Sequence, residues 1–125
     1  MTRQIVMPSR EQILRVLAIA RGLSLRGLSL RDLIEEAGYR DLRPRIRAAQ
    51  LAEILRAKPN IVDDWIAYSE DKRTSFGYGF GPFPAGDWLV DGPEGYRVRF
   101  GSRYDGCVAF VLRELDFWLA IEDAA

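Results

Sequence analysis

Aromatic side chains are distributed so unevenly along this chain that they fix where its core must form. Of 14 aromatic residues, 13 lie at or after Trp65, and only Tyr39 lies before it. Rings bury more area per residue than other side chains, so the densest packing belongs to the C-terminal half. Within that half, residues 74–121 read as three short strands (75–80, 87–90 and 96–100) followed by one long apolar helix. Side chains alternate across a strand, which puts Phe76, Tyr78 and Phe80 on one face of the first and Gly77, Gly79 and Gly81 on the other. The bare glycine face suits close packing, a bulge or a sheet edge. In the third strand Tyr96, Val98 and Phe100 oppose Arg97 and Arg99, giving one buried and one wet face. The segment Asp91-Gly92-Pro93-Glu94-Gly95 joins the second and third strands as a hairpin.

Upstream, the pattern is helical. Ser9 with Gln12 three residues on forms a capping-box pair, so a helix is predicted from about Arg10, with Ile13, Leu14, Val16, Leu17 and Ile19 as its apolar positions and Gly22 as its stop. Gly22 also opens a tandem pentapeptide, Gly-Leu-Ser-Leu-Arg repeated at Gly27, too short for a solenoid. Ser29 and Asp32 signal a second helix ending before Gly38. A third is predicted near Leu42, with Asp41 as cap, Pro44 in its first turn, and Leu42, Ile46, Ala49 and Leu55 as its buried stripe. Asn60 with Asp63 opens a fourth, through Ile61, Trp65 and Ile66 to about Glu70. Ser102 with Asp105 opens the last helix, where Tyr104, Val108, Val111, Leu115 and Trp118 recur at helical spacing to about Ile121. Phe110, Phe117 and Leu119 widen its apolar face, enough for a sheet on one side and helices on the other, or for a homodimer contact. The expected fold is one α+β domain over residues 1–125: four N-terminal helices (1–72) packed with a three-stranded antiparallel sheet backed by a long C-terminal helix (73–125).

Composition removes whole classes of chemistry. With no histidine and a single cysteine, Cys107, the chain cannot build a Cys/His zinc site, a Ser-His-Asp triad or an internal disulfide. No cofactor or metal site is expected, and the chain is read as a non-enzyme. It has no long apolar run and no apolar signal core at Met1–Pro8, so a cytoplasmic protein with no membrane contact is expected.

Three motifs resemble catalytic or ligand-binding patterns and fit them poorly. Glu70-Asp71-Lys72, with Asp63 or Asp64 upstream, has the residue types of a metal-dependent nuclease, but such acids sit on adjacent strands rather than on a helix and its exit. Gly77-x-Gly79-x-Gly81 lacks both the Gly-Lys-Ser/Thr ending and the G-x-G-x-x-G spacing of phosphate loops. Cys107 lies one turn into a helix, where thiols are acidified, yet nothing in the chain can act as its histidine partner.

Charge is the more informative property. Residues 1–60 carry 12 Arg/Lys against 6 Asp/Glu, a balance of +6, and residues 61–125 carry 6 against 12, a balance of −6. The basic half allows a winged helix-turn-helix reading, with Arg40, Arg43, Arg45 and Arg47 on phosphates, joined by Arg26 and Arg31. Against that reading, Gln50 is the only amide on the candidate recognition helix, and the acidic half would repel the same backbone. The acidic half favours a protein-binding module. Asp63, Asp64, Glu70, Asp71, Asp87, Asp91 and Glu94 cluster around one helix and the hairpin tips, with Tyr78 and Trp88 as aromatic anchors. Such a surface can occupy the cationic cleft of a basic protein, as small bacterial immunity and antitoxin proteins do, an analogy of charge and size.

Overall fold

The computed structural model describes residues 7–72 and 76–124; Thr74 and Ser75, placed at the opening of the first predicted strand, lie outside them. Among the described residues are seven α-helices and three strands: α1 (Arg10–Leu17), α2 (Ile19–Arg26), α3 (Leu30–Glu36), α4 (Tyr39–Leu42), α5 (Ala48–Ala57), α6 (Asn60–Asp71), β1 (Gly79–Phe83), β2 (Asp87–Asp91), β3 (Arg97–Phe100) and α7 (Arg103–Ala124). The fold is α+β, with a three-stranded antiparallel sheet in the order β1-β2-β3 and the long C-terminal helix the sequence predicts.

The N-terminal layer is more finely divided than four helices. Ser9 opens α1 as a true capping box, its hydroxyl accepting the Gln12 N–H at 3.1 Å while its own N–H donates to Gln12 Oε1 at 2.8 Å. Gly22 does not stop the helix. It lies inside α2, where a Cβ would stand 3.3 Å from Leu33, so its role is to let α3 approach. The first helix already ends at Leu17, and it is α2 that stops one pentapeptide later, at Gly27, in the left-handed region at φ 65°. The predicted third helix is two. Asp41 is inside α4, Pro44 sits in a 3-10 turn (Arg43–Arg45), and Ile46 and Arg47 are extended before α5 begins. The Arg47 N–H donates to Gln50 Oε1 at 3.0 Å, which satisfies one end group of α5 and starts a new helix there. Ala49 consequently faces solvent, and Leu51, Ala52, Ile54 and Leu55 make the buried face. Asn60 likewise makes no cap bond; it is the first residue of α6, behind Pro59.

β1 starts later than the alternation predicts. Gly77 adopts φ 79°, a conformation that breaks the extended run, so the pairing register begins at Gly79 and matches Phe80 with Val90 and Val90 with Val98. Phe80, Trp88, Val90 and Phe100 therefore share the inner face. This face rests on α7 at Gly106, where an added Cβ would stand 3.0 Å from the Phe80 ring and 3.4 Å from Trp88 Cβ. Phe110 is the hub of the core, with ring centroids 5.6 Å from Phe80, 6.0 Å from Tyr68 and 6.1 Å from Trp65. Trp65 is fully buried, and its Nε1–H donates to the Leu17 carbonyl at 2.9 Å, tying α6 to α1. The wide apolar face of α7 packs against the sheet on one side and α5 and α6 on the other, with Ile121 near its end left 39% exposed.

The two left-handed glycines give a stability comparison. Nothing lies within 4 Å of a Cβ built at Gly27, whereas one built at Gly77 collides with Glu114 Oε1. Gly27→Ala is expected to cost about 1 kcal/mol, the left-handed penalty alone. Gly77→Ala is expected to cost about 3 kcal/mol or more in the same urea titration, since a steric clash adds to the strain.

Candidate functional site

The end of α6, the residues just ahead of β1 and the middle of α7 meet at one buried carboxylate. Glu114 is 0% exposed. Its Oε1 accepts the Tyr78 N–H at 2.7 Å, and its Oε2 accepts the Tyr68 hydroxyl at 2.7 Å and lies 2.7 Å from Lys72 Nζ. Lys72 Nζ also donates to the Tyr78 carbonyl at 2.7 Å, and the Phe80 N–H donates to Ser69 Oγ at 2.8 Å. Burial, then the charge on Glu114, pushes the Tyr68 phenol well above its ordinary pKa. Both Glu114 oxygens are engaged, so the cluster ties α6, α7 and the approach to β1 together rather than offering a free acid or base. Glu114 was not among the predicted functional residues. Its signal was its position, seven residues after Cys107 and four after Phe110 on the buried stripe of α7.

Over this cluster opens a cleft of about 640 Å³, walled by Ser69 and Lys72 at the end of α6, by Phe76, Tyr78 and Phe117, and by Asp91 and Pro93 at the β2–β3 tip. The structure thus gathers Glu70, Asp71, Tyr78, Asp91 and Glu94 around the end of α6 and the adjoining tip. Asp63 and Asp64 stand one to two turns earlier on α6, where they line a groove shared with Asp71 and α2. Asp87 and Trp88 are at the opposite end of β2. Asp87 is paired with Arg99 at 2.8 Å, and Trp88 packs on Phe80 at 5.9 Å, so neither belongs to the gathered set. Tyr78 is held edge-on between Tyr96 (5.6 Å) and Phe117 (6.2 Å). The exposed ring is Phe76 instead, 62% accessible, because the turn at Gly77 takes it off the predicted inner face.

Electrostatically, much of the sequence's charge separation is closed across the contact between α7 and the N-terminal helices. Arg31 pairs with Glu122 (2.9 Å), Arg40 with Asp123 (2.7 Å), Arg43 with Asp116 (2.9 Å) and Arg56 with Asp105 (3.7 Å). The Tyr39 hydroxyl donates to the same Asp116 at 2.7 Å. Burial, then that hydrogen bond, pushes the Tyr39 phenol up as well. Asp63 pairs with Arg103 at 3.4 Å. Asp64, Glu70, Asp71, Asp91 and Glu94 make no ion pair among the described residues.

The other motifs resolve in physical terms. Arg40, Arg43, Arg45 and Arg47 run through α4, the 3-10 turn and the start of α5 rather than along one recognition helix. Arg45 reaches the Asp41 carbonyl at 3.5 Å, and Arg40 and Arg43 are engaged by α7. Lys72 turns inward to Glu114, away from any phosphate that Glu70 and Asp71 would face. Among the described residues no group of three or more His, Cys, Asp and Glu is arranged to hold a metal. Gly79 and Gly81 are strand residues, not a phosphate loop. Cys107 is buried, and burial pushes its thiol up. Among the described residues no helix is long and apolar enough to cross a membrane. No family model, curated protein or solved structure matches the chain.

Removing Glu114 would leave Lys72 largely buried without its counter-charge and three donors without an acceptor. Glu114→Ala is therefore expected to cost about 3–5 kcal/mol by urea denaturation. The two raised phenols set an alkaline limit. Below pH about 10 they are protonated in both states; above it the unfolded chain loses protons that the folded chain keeps. Stability should then fall by up to about 1.4 kcal/mol per pH unit for each tyrosine, and Tyr39→Phe should flatten that slope in denaturation series across pH 9–11.

Proposed function

We propose that the chain is a non-enzymatic protein-binding module. It meets a basic protein through the acidic face formed by α6 and the β2–β3 tip, and acts as an inhibitor in the manner of small immunity and antitoxin proteins. The observation that carries this reading is selective pairing. The acids of α7 are each matched by an arginine or lysine, whereas Asp64, Glu70, Asp71, Asp91 and Glu94 are left without one among the described residues. Of these five, Asp91 lines the aromatic cleft, Glu70 and Asp71 lie in sequence between its wall residues Ser69 and Lys72, Glu94 follows its wall residue Pro93, and Phe76 is exposed at its wall. A desolvated aromatic centre ringed by charge is an arrangement that supplies both affinity and fast encounter. Of the arginines needed for the nucleic-acid alternative, Arg31, Arg40 and Arg43 are engaged by α7, so that reading has less support.

Capture from host lysate by the full chain is compared with capture by a Glu70→Lys, Asp71→Lys, Asp91→Lys variant shown by circular dichroism to be folded. One or more basic proteins should be retained by the first and lost by the second. Identical capture, or tight duplex DNA binding with a steep salt slope that Arg43→Ala and Arg47→Ala abolish, would overturn the proposal.

A further inference from the structure

The acidic face continues into a groove that says what shape of partner segment fits. Between α2 and α6 lies a channel of about 630 Å³ running from Asn60 to Lys72, the full 12-residue length of α6. At 1.5 Å per residue that is about 18 Å, the length of roughly three helical turns. Its apolar lining is Leu23 and Ala67 with Leu25, which is 70% exposed, the highest value among the exposed large hydrophobic residues. Its charged lining is asymmetric. Asp64 and Asp71 stand on the α6 side and Arg21 on the α2 side, while Asp63 is matched by Arg103 and Lys72 by Glu114.

Resting on the protein-binding reading above, we infer that this groove seats an amphipathic basic helix of the partner. Both walls are helices with their backbone groups paired internally, so the groove has no strand edge on which an extended peptide could form a ladder. A leucine left in water beside an apolar channel is covered when a helix lays its apolar stripe there. Unpaired carboxylates along one wall select lysine or arginine on the flank of that helix facing α6, and Arg21 disfavours them on the other flank.

The probe is a synthetic leucine/lysine peptide of about four helical turns, amphipathic when helical, titrated into the ¹⁵N-labelled full chain. Its controls are an isomer of scrambled order and a leucine/glutamate counterpart. Amide shifts are expected at Leu23, Leu25, Asp64, Ala67 and Asp71, with both controls at least about tenfold weaker. Leu25→Ser and the pair Asp64→Asn, Asp71→Asn should each weaken binding about tenfold. Arg21→Glu, which a merely structural role would not improve, should tighten it. The inference is overturned by an absence of shifts, by equal binding of the scrambled or glutamate peptide, by shifts confined to Gly92 and Glu94, or by indifference to Leu25→Ser and Arg21→Glu. If those variants retain partner capture while the Glu70, Asp71, Asp91 variant loses it, the groove fails and the wider acidic surface stands.

Discussion

A carboxylate with no access to water anchors this structure. An isolated ion at the position of Glu114 would be untenable, and it persists because a lysine, a phenol and a backbone amide converge on its two oxygens. Those donors come from α6 and from the chain just ahead of β1, so the carboxylate joins the helical layer to the sheet at the point where the chain changes from one to the other. Aromatic packing supplies the bulk of the adhesion around it, through Phe110, but packing is non-directional. The buried pair is what fixes Lys72, at the end of α6, against Tyr78, ahead of β1, and Tyr78 is one wall of the cleft.

Charge plays two distinct parts in the same molecule. Along α7, acids at Asp105, Asp116, Glu122 and Asp123 meet arginines of the helical layer, each pair partly exposed and individually weak. Together they orient the layer on the helix and use up charge that would otherwise face solvent. Among the described residues, the acids left without an ion pair include Asp64, Glu70 and Asp71 on α6 and Asp91 and Glu94 at the β2–β3 tip, besides Asp32, Asp41 and Glu53 on the helical layer. Net charge is zero, so a charged partner would be selected by the charges that the fold leaves unmatched.

The class of fold, the three-stranded antiparallel sheet and the long last helix were legible because they depend on local signals: the Ser9, Ser29 and Ser102 caps, the hairpin glycines, and the helical spacing from Tyr104 to Trp118. Misplaced boundaries arose where a residue has two physical uses. Gly22 and Gly27 are identical in their pentapeptides, and only contact with Leu33 distinguishes a packing glycine from a capping one. Gly77, read as one member of an alternating strand, takes a positive φ because its neighbour across the fold is Glu114, a relation 37 positions long that no window reveals. At the candidate site, Glu70, Asp71, Asp91 and Glu94 were expected from charge alone. Phe76, Leu25 and Glu114 were missed or misread, because exposure and burial of single side chains are settled by tertiary packing.

The outermost strand carries one more implication. β3 has a free side, and Val98 on it is 36% exposed, an invitation for a neighbouring polypeptide to extend the sheet. Its two arginines are drawn over the Phe83 ring, with guanidinium carbons 5.6 Å (Arg97) and 4.7 Å (Arg99) from the ring centre. Stripping those cations of water to admit another strand would be unfavourable. The same pair of side chains that shields an aromatic ring thus also keeps charge on an edge strand.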